Sequence, residues 1–400
     1  MGFIQKNIGR AKFVTFSVID FIRFQFSSKT KNVSKTKKIL FVGDHLQARI
    51  PRIAKLLNQT KEFETFLITL RGKDYSHYNT AFFNKQITYR TYWDLKIILK
   101  KEGNCELIHA FGPPNWATKI CIKAGLRTIM DCQDMNVSYY GLTPPFAYLK
   151  LDLPNEKYCI DNCAGLISQS IEPYNAIKEY SAKKPKKTLF FPLFCDKENL
   201  IFDAKKIDDN QLHIVYVGMI AGSFQDNLHY GAYQLKSLIK KFNSQKVNFH
   251  IYPSPNIDQN IIEEYKIFES EFKYFHLHKS VSQNKLAREI SKYHFGILPF
   301  FDYNNKKNKT KRRRGTSLKI FNYIEAQLPI LISEDMAFQN WIVTRHSAGI
   351  SINYSDLSNI INKTHLFQYD EMIEKLTIER EKIILQNQFY RLEKFYDNFL

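Results

Sequence analysis

The stretch His213-Ile-Val-Tyr-Val-Gly218 is a short apolar run that ends in glycine, and Lys38-Ile-Leu-Phe-Val-Gly43 has the same form in the first half of the chain. A short run of this kind, without polar alternation, is typical of a strand buried on both faces of a parallel sheet. Each run opens a series in which apolar strands alternate with helical stretches. The sequence therefore predicts an α/β protein with two Rossmann-like domains that face a cleft.

The remaining strands of both domains follow from the same pattern. In the first domain they are predicted at 63–69, 106–111, 127–131, 164–168 and 188–191. In the second they are predicted at 247–252, 274–277, 295–299, 329–332 and 348–352. We predict four parts: an N-terminal amphipathic helix and linker (1–36), the two Rossmann-like domains (37–200 and 201–365), and C-terminal helices (366–400).

Charge and cysteine usage bear on partners and compartment. The formal net charge of +19 indicates an anionic partner, which is a phosphorylated small molecule, an anionic membrane face or nucleic acid; compositional drift is the other explanation. The six cysteines form no CxxC pair, which argues against a zinc site or a disulfide framework and favours the reducing cytoplasm. Neither GxGxxG nor GxxxxGK[ST] follows a predicted strand, so no ordinary NAD, FAD or P-loop site is expected.

Residues 3–26 combine many Phe and Ile side chains with basic residues, and a polar tract follows them. No uncharged apolar stretch is long enough to cross a membrane. Two interpretations of the segment remain open. It is either an interfacial helix that attaches the protein peripherally to the inner membrane face, or a helix packed on its own domain.

The richest segment for chemistry begins with the basic run Lys306–Arg314 and continues as Gly315-Thr316-Ser317-Leu318-Lys319. Thr or Ser is a good N-cap, and glycine allows a ligand to approach the backbone. The free N–H groups and positive dipole at such a helix start form an anion site, with Lys319 one turn in. The basic run by itself is also compatible with a solvated loop or a nucleic-acid or lipid patch.

The segment GTSLKIFNYIEAQLPILIS (315–333) resembles the donor-binding segment of nucleotide-sugar glycosyltransferases with two Rossmann-like domains, the GT-B fold, especially family 4-like bacterial members. HIVYVGMI (213–220) is similar to the first strand of that family's donor domain, and YHFGILPFF (293–301) to the strand before its donor loop. ELIHAFGP (106–113) and TIMDCQDM (128–135) are similar to strands of its acceptor domain. The resemblance implies that 37–200 is the acceptor side and 201–365 the donor side.

Carried over to matching positions, the resemblance implies that the loop after Gly218 and the helix start Gly315–Lys319 hold the donor diphosphate. The residues assigned to it are Gly218, Met219, Arg312, Arg313, Arg314, Gly315, Thr316, Ser317, Leu318, Lys319 and Asn322. The chain departs from the family at Asn322, which stands where the ribose-binding Glu is expected, and at Arg314, which stands at the other acidic position. Met219 and Phe224 replace the family's basic pair, for which Arg312–Arg314 are a candidate substitute.

On the acceptor side, polar residues follow strands at the edge of the sheet where α/β ligands bind. His109, Asp131 and Asp134 are the candidates for orienting or deprotonating an acceptor hydroxyl, and Gly43 and His45 for binding the acceptor. Capping or core hydrogen bonding is the competing explanation for the first three.

The resemblance implies a glycosyltransferase that moves a sugar from a nucleotide-sugar to a sugar or lipid-linked acceptor in surface polysaccharide synthesis. It implies no metal site and no cofactor, with the nucleotide-sugar as co-substrate. The expected partners are that donor, the glycan or lipid-linked acceptor and an anionic membrane surface, and nucleic acid is not expected. The alternative is a non-catalytic relative that binds sugar or membrane.

Overall fold

The structure is a computed structural model that describes residues 36–72, 78–144, 146–185, 187–225, 230–301, 313–365 and 369–400. The predicted N-terminal helix (3–26) and Arg312 lie outside these residues. The described chain divides into two compact units. None of its described helices is both long and apolar enough to cross a bilayer.

The first unit is a seven-stranded parallel sheet with the order β3-β2-β1-β4-β5-β6-β7. The strands are β1 (Lys37–Gly43), β2 (Phe63–Leu70), β3 (Lys85–Tyr89), β4 (Leu107–Gly112), β5 (Thr128–Cys132), β6 (Gly165–Ser168) and β7 (Lys187–Phe190). The helices are α1 (Arg49–Gln59), α2 (Tyr92–Glu102), α3 (Trp116–Lys123), α4 (Asn136–Tyr140), α5 (Ala147–Asn162) and α6 (Glu172–Glu179). The central strands are buried along their length, as their apolar runs predict.

The second unit is a six-stranded parallel sheet with the order β10-β9-β8-β11-β12-β13. The strands are β8 (His213–Gly218), β9 (Asn248–Pro253), β10 (Phe275–Leu277), β11 (Phe295–Leu298), β12 (Ile330–Ser333) and β13 (Gly349–Ile352). The helices are α7 (Lys236–Ser244), α8 (Gln259–Glu271), α9 (Gln283–Ile290), α10 (Leu318–Glu325), α11 (Ala337–Arg345), α12 (Ile360–His365), α13 (Tyr369–Arg380) and α14 (Leu385–Tyr396). The predicted fold class, with two Rossmann-like sheets, is confirmed.

Three elements of the first unit are absent from the sequence prediction: the five-residue helix α4, strand β3 and helix α5. Strand β3 is a polar edge strand whose side chains are mostly exposed, so it lacks the apolar run of its neighbours. Helix α5 contains Pro154 in its interior, and a proline there normally argues against a helix. Tertiary contacts stabilise β3 and α5 where local sequence does not. Strand β3 pairs with β2, and α5 buries one face against its unit.

The division between the units differs from the predicted boundary at residue 200. The second unit comprises Gln169–Glu172 and Pro192–Arg391. The polar linker is tied into this unit, because the Cys195 backbone pairs with Ile384 and Glu325 accepts a hydrogen bond from the Asp196 N–H. The last nine residues, Leu392–Leu400, belong to the first unit. Helix α14 therefore ends in the first unit's core rather than in a separate C-terminal part.

Candidate active site

The predicted donor site lies at the carboxyl end of β8. The strand ends at Gly218, whose φ of +117° lies in the region that favours glycine. The next residue, Met219, is half-buried, and its carbonyl accepts a hydrogen bond of 2.6 Å from the Tyr216 hydroxyl. Ile220 and Ala221 are buried. The loop therefore leaves the strand along a fixed path. At the turn itself, Gly218 presents only backbone atoms.

Helix α10 is held over this strand end by Tyr323. The Tyr323 hydroxyl accepts from the Val217 N–H at 3.1 Å and donates to the Ile297 carbonyl at 3.1 Å. Its ring fills the space above Gly296, where an added Cβ would lie 2.4 Å from the ring. One side chain thus joins α10 to both β8 and β11. The start of the helix is placed beside the end of β8.

Lys319, in the first turn of α10, lies directly against Gly218. A Cβ at Gly218 would come within 2.4 Å of the lysine Cε and 2.9 Å of Nζ. The Tyr216 and Phe300 rings flank the ammonium, with centroids 5.7 and 5.6 Å away. Within the described ranges, no acceptor oxygen lies at hydrogen-bond distance from Nζ, and burial lowers the pKa of Lys319 to about 8. Among the described residues, the Lys319 ammonium therefore has no carboxylate partner.

The residues just before α10 complete the predicted anion site. Gly315 is buried, and the Thr316 Oγ1 atom is buried without a hydrogen-bond partner among the residues described. Ser317 is the N-cap, and its hydroxyl accepts from the Lys319 N–H at 3.3 Å. Leu318 begins the helix. A free hydroxyl, a helix N-terminus and a lysine converge here, which is the arrangement that phosphate groups require.

Of the predicted arginines, the structure describes Arg313 and Arg314. Arg313 is exposed and Arg314 is half-buried, and both precede Gly315 in a short helical turn. Both charges therefore stand close in sequence to the helix start. Their suggested replacement of the family's basic pair stays a prediction.

Asn322, at the expected ribose position, is 5% exposed and accepts a hydrogen bond of 2.6 Å from Gln283 Nε2. Gln283 is the first residue of α9. The pair is neutral, and its amide groups replace the carboxylate that the family pattern places here. Sequence reasoning missed Gln283 because it lies 39 residues before Asn322, and no local pattern marks such a pairing.

On the acceptor side, His109 and Asp131 lie in a closed network. Both are 0% exposed, and His109 Nε2 lies 2.8 Å from the Asp131 carboxylate. Arg49 binds the same carboxylate through two nitrogens, one at 2.9 Å, and donates to the Phe191 carbonyl at 2.7 Å. The Tyr396 hydroxyl lies 2.5 Å from His109 Nδ1. Both ring nitrogens of His109 and both carboxylate oxygens of Asp131 therefore have hydrogen-bond partners within the protein.

The protonation of this network follows from its partners. A carboxylate accepts only, so His109 donates through Nε2–H and accepts from Tyr396 at Nδ1. Burial and the neighbouring Arg49 guanidinium hold the pKa of His109 well below its usual range. A neutral, fully buried imidazole with both nitrogens engaged has no free edge for an acceptor hydroxyl. The geometry supports the competing explanation, core hydrogen bonding, for His109 and Asp131.

The other acceptor-side candidates differ in exposure. Asp134 is half-buried in the loop after β5, and His45 is exposed after β1. Gly43 packs against Phe111, whose ring would lie 2.4 Å from an added Cβ, so its small size is needed for packing between strands. Asp134 and His45 therefore remain at the carboxyl edge of the sheet, where solutes reach them. No group of three or more His, Cys, Asp or Glu side chains in the described ranges is arranged to hold a metal ion.

Comparison with known proteins gives a family for one part of the chain and a fold for most of it. Residues 229–391 match the family described as glucosyltransferase 3-like, C-terminal domain. No curated protein matches the chain by sequence. Sucrose-phosphate synthase from Thermosynechococcus elongatus is similar in structure, with 10% identity and a TM-score of 0.65 over 90% of this chain and 98% of that one.

Two further solved structures have the same fold. HepE from Anabaena, in complex with UDP, has 10% identity and a TM-score of 0.65 over 91% of this chain and 100% of its own. The trehalose 6-phosphate synthase from Burkholderia multivorans has 10% identity and a TM-score of 0.57 over 91% of this chain and 96% of its own. At such identities the similarity establishes the fold alone. The chemistry has to be argued from the residues of this chain.

Proposed function

We propose, from the premise that this chain is a glycosyltransferase of the GT-B fold with a glucosyltransferase 3-like C-terminal domain, that it transfers a hexosyl group from a nucleoside diphosphate sugar to a glycan or lipid-linked acceptor. The single observation that carries the proposal is the Lys319 ammonium, which lies against Gly218 and has no carboxylate partner in the described part of the chain. HepE binds UDP, and UDP with glucose, in its crystal structures, which supports a nucleotide-sugar as the donor.

In the proposed complex, the diphosphate lies between the turn at Gly218 and the start of α10. Backbone N–H groups at Gly315–Leu318 and the Thr316 hydroxyl bind its oxygens, and Lys319 neutralises part of its charge. The bond between the anomeric carbon and the phosphate oxygen breaks while the acceptor oxygen, which loses its proton, forms the new glycosidic bond, and negative charge grows on the leaving diphosphate. The helix dipole and Lys319 stabilise that charge more strongly in the transition state than in the ground state, which lowers the barrier.

The acceptor is proposed to bind at the carboxyl edge of the first unit's sheet, near His45 and Asp134. Asp134 is the proposed group for orienting or deprotonating the attacking hydroxyl, because it is the member of the predicted acid–base set that solvent reaches. His109 and Asp131 support this edge from inside the unit rather than contacting substrate. A role in surface polysaccharide synthesis follows only from the resemblance and is part of this proposal.

A panel of nucleotide-sugars tests the function directly. The full chain is incubated with each UDP-, GDP- and ADP-hexose, and release of free nucleoside diphosphate is measured with and without glycan acceptors. We expect turnover with one nucleotide class, and loss of most turnover in Lys319→Ala but not in Lys266→Ala, an exposed lysine on α8. Binding of a nucleotide-sugar without any turnover would indicate the non-catalytic relative instead.

A further inference from the structure

Helix α5 presents an apolar and basic face to solvent while its central acidic residues point inward. Tyr148 and Leu151 are 64% and 65% exposed, and Lys150 between them is also exposed. Asp152 and Glu156, by contrast, are 2% and 0% exposed. The usual orientation of an amphipathic surface helix is therefore reversed for these residue types.

Hydrogen bonds fix this orientation. Asp152 accepts from the Asn115 N–H at 3.0 Å and from Asn136 Nδ2 at 2.8 Å. Glu156 accepts from the Asn136 N–H at 2.7 Å and the Val137 N–H at 3.1 Å. The two carboxyl groups hold the loops after β4 and β5. Because both are engaged inside the unit, α5 cannot rotate to bury Tyr148 and Leu151.

Four exposed apolar side chains lie close together in sequence, in the first turns of α5 and the segment before it. The Phe146 and Tyr148 rings stack with centroids 5.7 Å apart at 18°. Leu151 lies one turn further on the same face of the helix. Leu142, in the preceding loop, is 54% exposed. A cluster of large apolar side chains that stays in water marks a contact surface, since isolated exposed leucines are common but grouped ones are not.

Two exposed lysines lie on and beside this part of α5. Lys150 stands between Tyr148 and Leu151, and Lys123 of the neighbouring helix α3 lies 5.7 Å from the ring of Tyr158, further along α5. The outward acidic residue on α5, Asp161, is neutralised by Lys157 at 2.6 Å. The face therefore carries a net positive charge around an apolar centre. This combination matches the headgroup region of an anionic bilayer, with acyl chains beneath a layer of negative charge.

We propose that this face, the α5 surface (Leu142, Phe146, Tyr148, Lys150 and Leu151 with Lys123), is a contact site for an anionic lipid bilayer. Its aromatic and leucine side chains enter the interface, and the lysines bind lipid phosphates. The inference extends the proposed function, because a lipid-linked acceptor resides at such a surface, but the contact does not depend on sugar transfer.

Vesicle flotation of the full chain tests the apolar part. We compare the parent protein, Tyr148→Ser/Leu151→Ser, and the control Ile267→Ser/Ile378→Ser, which removes two similarly exposed residues from α8 and α13. With phosphatidylglycerol-containing vesicles, the α5 variant should partition about 10- to 30-fold less, from the apolar area withheld from lipid. The control should match the parent, and all three should melt at similar temperatures.

Two further experiments test the contribution of the lysines and whether α5 itself contacts the bilayer. Lys123→Gln/Lys150→Gln should reduce partitioning to anionic vesicles by about fivefold per lysine, and should not change the weak binding to phosphatidylcholine. An environment-sensitive dye on Leu151→Cys should shift to shorter wavelength when anionic vesicles are added, while the parent chain treated with the same dye should not. This readout reports on α5 itself, whatever residues 3–26 contribute.

Equal flotation of the parent and both α5 variants would overturn the proposal. So would a dye shift that appears without vesicles as protein concentration rises, which would indicate a second copy of the chain at this face. Nucleoside diphosphate release in vesicle-free solution should be the same in all variants. If the parent protein released no nucleoside diphosphate, that result would count against the proposed function. It would not count against the lipid contact.

Discussion

The Lys319 side chain occupies the space where Gly218 would carry a Cβ, so the cation and the backbone turn at the end of β8 form a single surface. Tyr323, one helical turn further along α10, holds the two together through its bonds to Val217 and Ile297. Binding and orientation of a diphosphate therefore depend on a helix and a strand end that are almost 100 residues apart in sequence. The first three predictions concern this site.

Removal of the Lys319 charge should weaken use of the donor. Lys319→Ala deletes a charge-assisted contact worth roughly 1.5 to 3 kcal/mol, so kcat/KM should fall about 10- to 150-fold. The measurement is steady-state release of nucleoside diphosphate, with Lys266→Ala as the matched control. Unchanged kinetics in a correctly folded Lys319→Ala protein would remove this residue from the site.

The rate should also depend on pH through Lys319. Burial lowers the pKa of Lys319 to about 8, so the free enzyme loses the positive charge as pH rises through 8. The kcat/KM for the donor should therefore be level below pH 7 and decline above pH 8. Lys319→Arg should keep its charge and extend the level region to higher pH, because a guanidinium does not deprotonate in this range. Identical profiles for the two proteins would assign the titration to another group.

Asn322 should tolerate glutamate better than alanine. In Asn322→Glu a carboxylate oxygen can still accept from Gln283, whereas Asn322→Ala leaves the Gln283 amide without its partner. The Gln283 amide is half-buried, so its loss of a partner should cost about 1 kcal/mol or less, and donor KM should rise along with this small loss of stability. Calorimetric binding of nucleoside diphosphate and urea unfolding would measure both effects. Equal affinity in the parent and both variants would show that Asn322 does not face the ribose.

Asp131 should be a stability residue. Asp131→Ala leaves the Arg49 guanidinium buried without its carboxylate, and breaking a buried pair in this way costs about 3 to 5 kcal/mol. Urea unfolding should show this loss, while kcat per folded molecule at low temperature should change little. Asp134→Ala, in contrast, should lower kcat at nearly unchanged stability. Loss of kcat without loss of stability in Asp131→Ala would restore its role as a base.

Acid should destabilise the protein through a chain of imidazoles. His213 lies 3.0 Å from Asp209 and 2.9 Å from His250, and His250 lies 3.0 Å from His278. Burial lowers the pKa of His278 to about 4 and that of His250 further. The unfolded chain titrates near 6.5 and so binds more protons than the folded one between these values. Stability is therefore complete above pH 6.5 and is lost as pH falls towards 4.

The measurement is the urea midpoint between pH 7 and pH 4.5. His278→Gln should flatten this dependence, because one of the depressed imidazoles is gone, whereas Ile267→Ser, at an exposed apolar site, should leave the slope as in the parent. The comparison is made in a Glu289→Gln background, because Glu289 and His278 shift each other's titration, so the difference in slope isolates the histidine. A slope that His278→Gln does not change would exclude the imidazole chain as the cause.

Much of the fold was predictable from local pattern. The apolar runs before Gly43 and Gly218 are long enough, and free enough of charge, to be stable only between two layers of helix, and this identified the two parallel sheets. The segment around Gly315–Lys319 was identified as an anion site because capping residues, glycine and lysine act over a few residues. Strand β3 and helix α5 were missed because an edge strand needs no apolar run and Pro154 breaks the helical pattern.

The sequence by itself determined which strands are buried, where the anion site begins, and that Asn322 is neutral. Only the tertiary structure decided what each polar residue meets: Gln283 for Asn322, Gly218 for Lys319, and Tyr396 with Arg49 for the His109–Asp131 pair. These contacts join residues from 39 to 287 positions apart. Backbone periodicity reports on neighbours within about a turn or a strand, whereas a side chain's chemistry is set by desolvation and by partners that packing alone brings together.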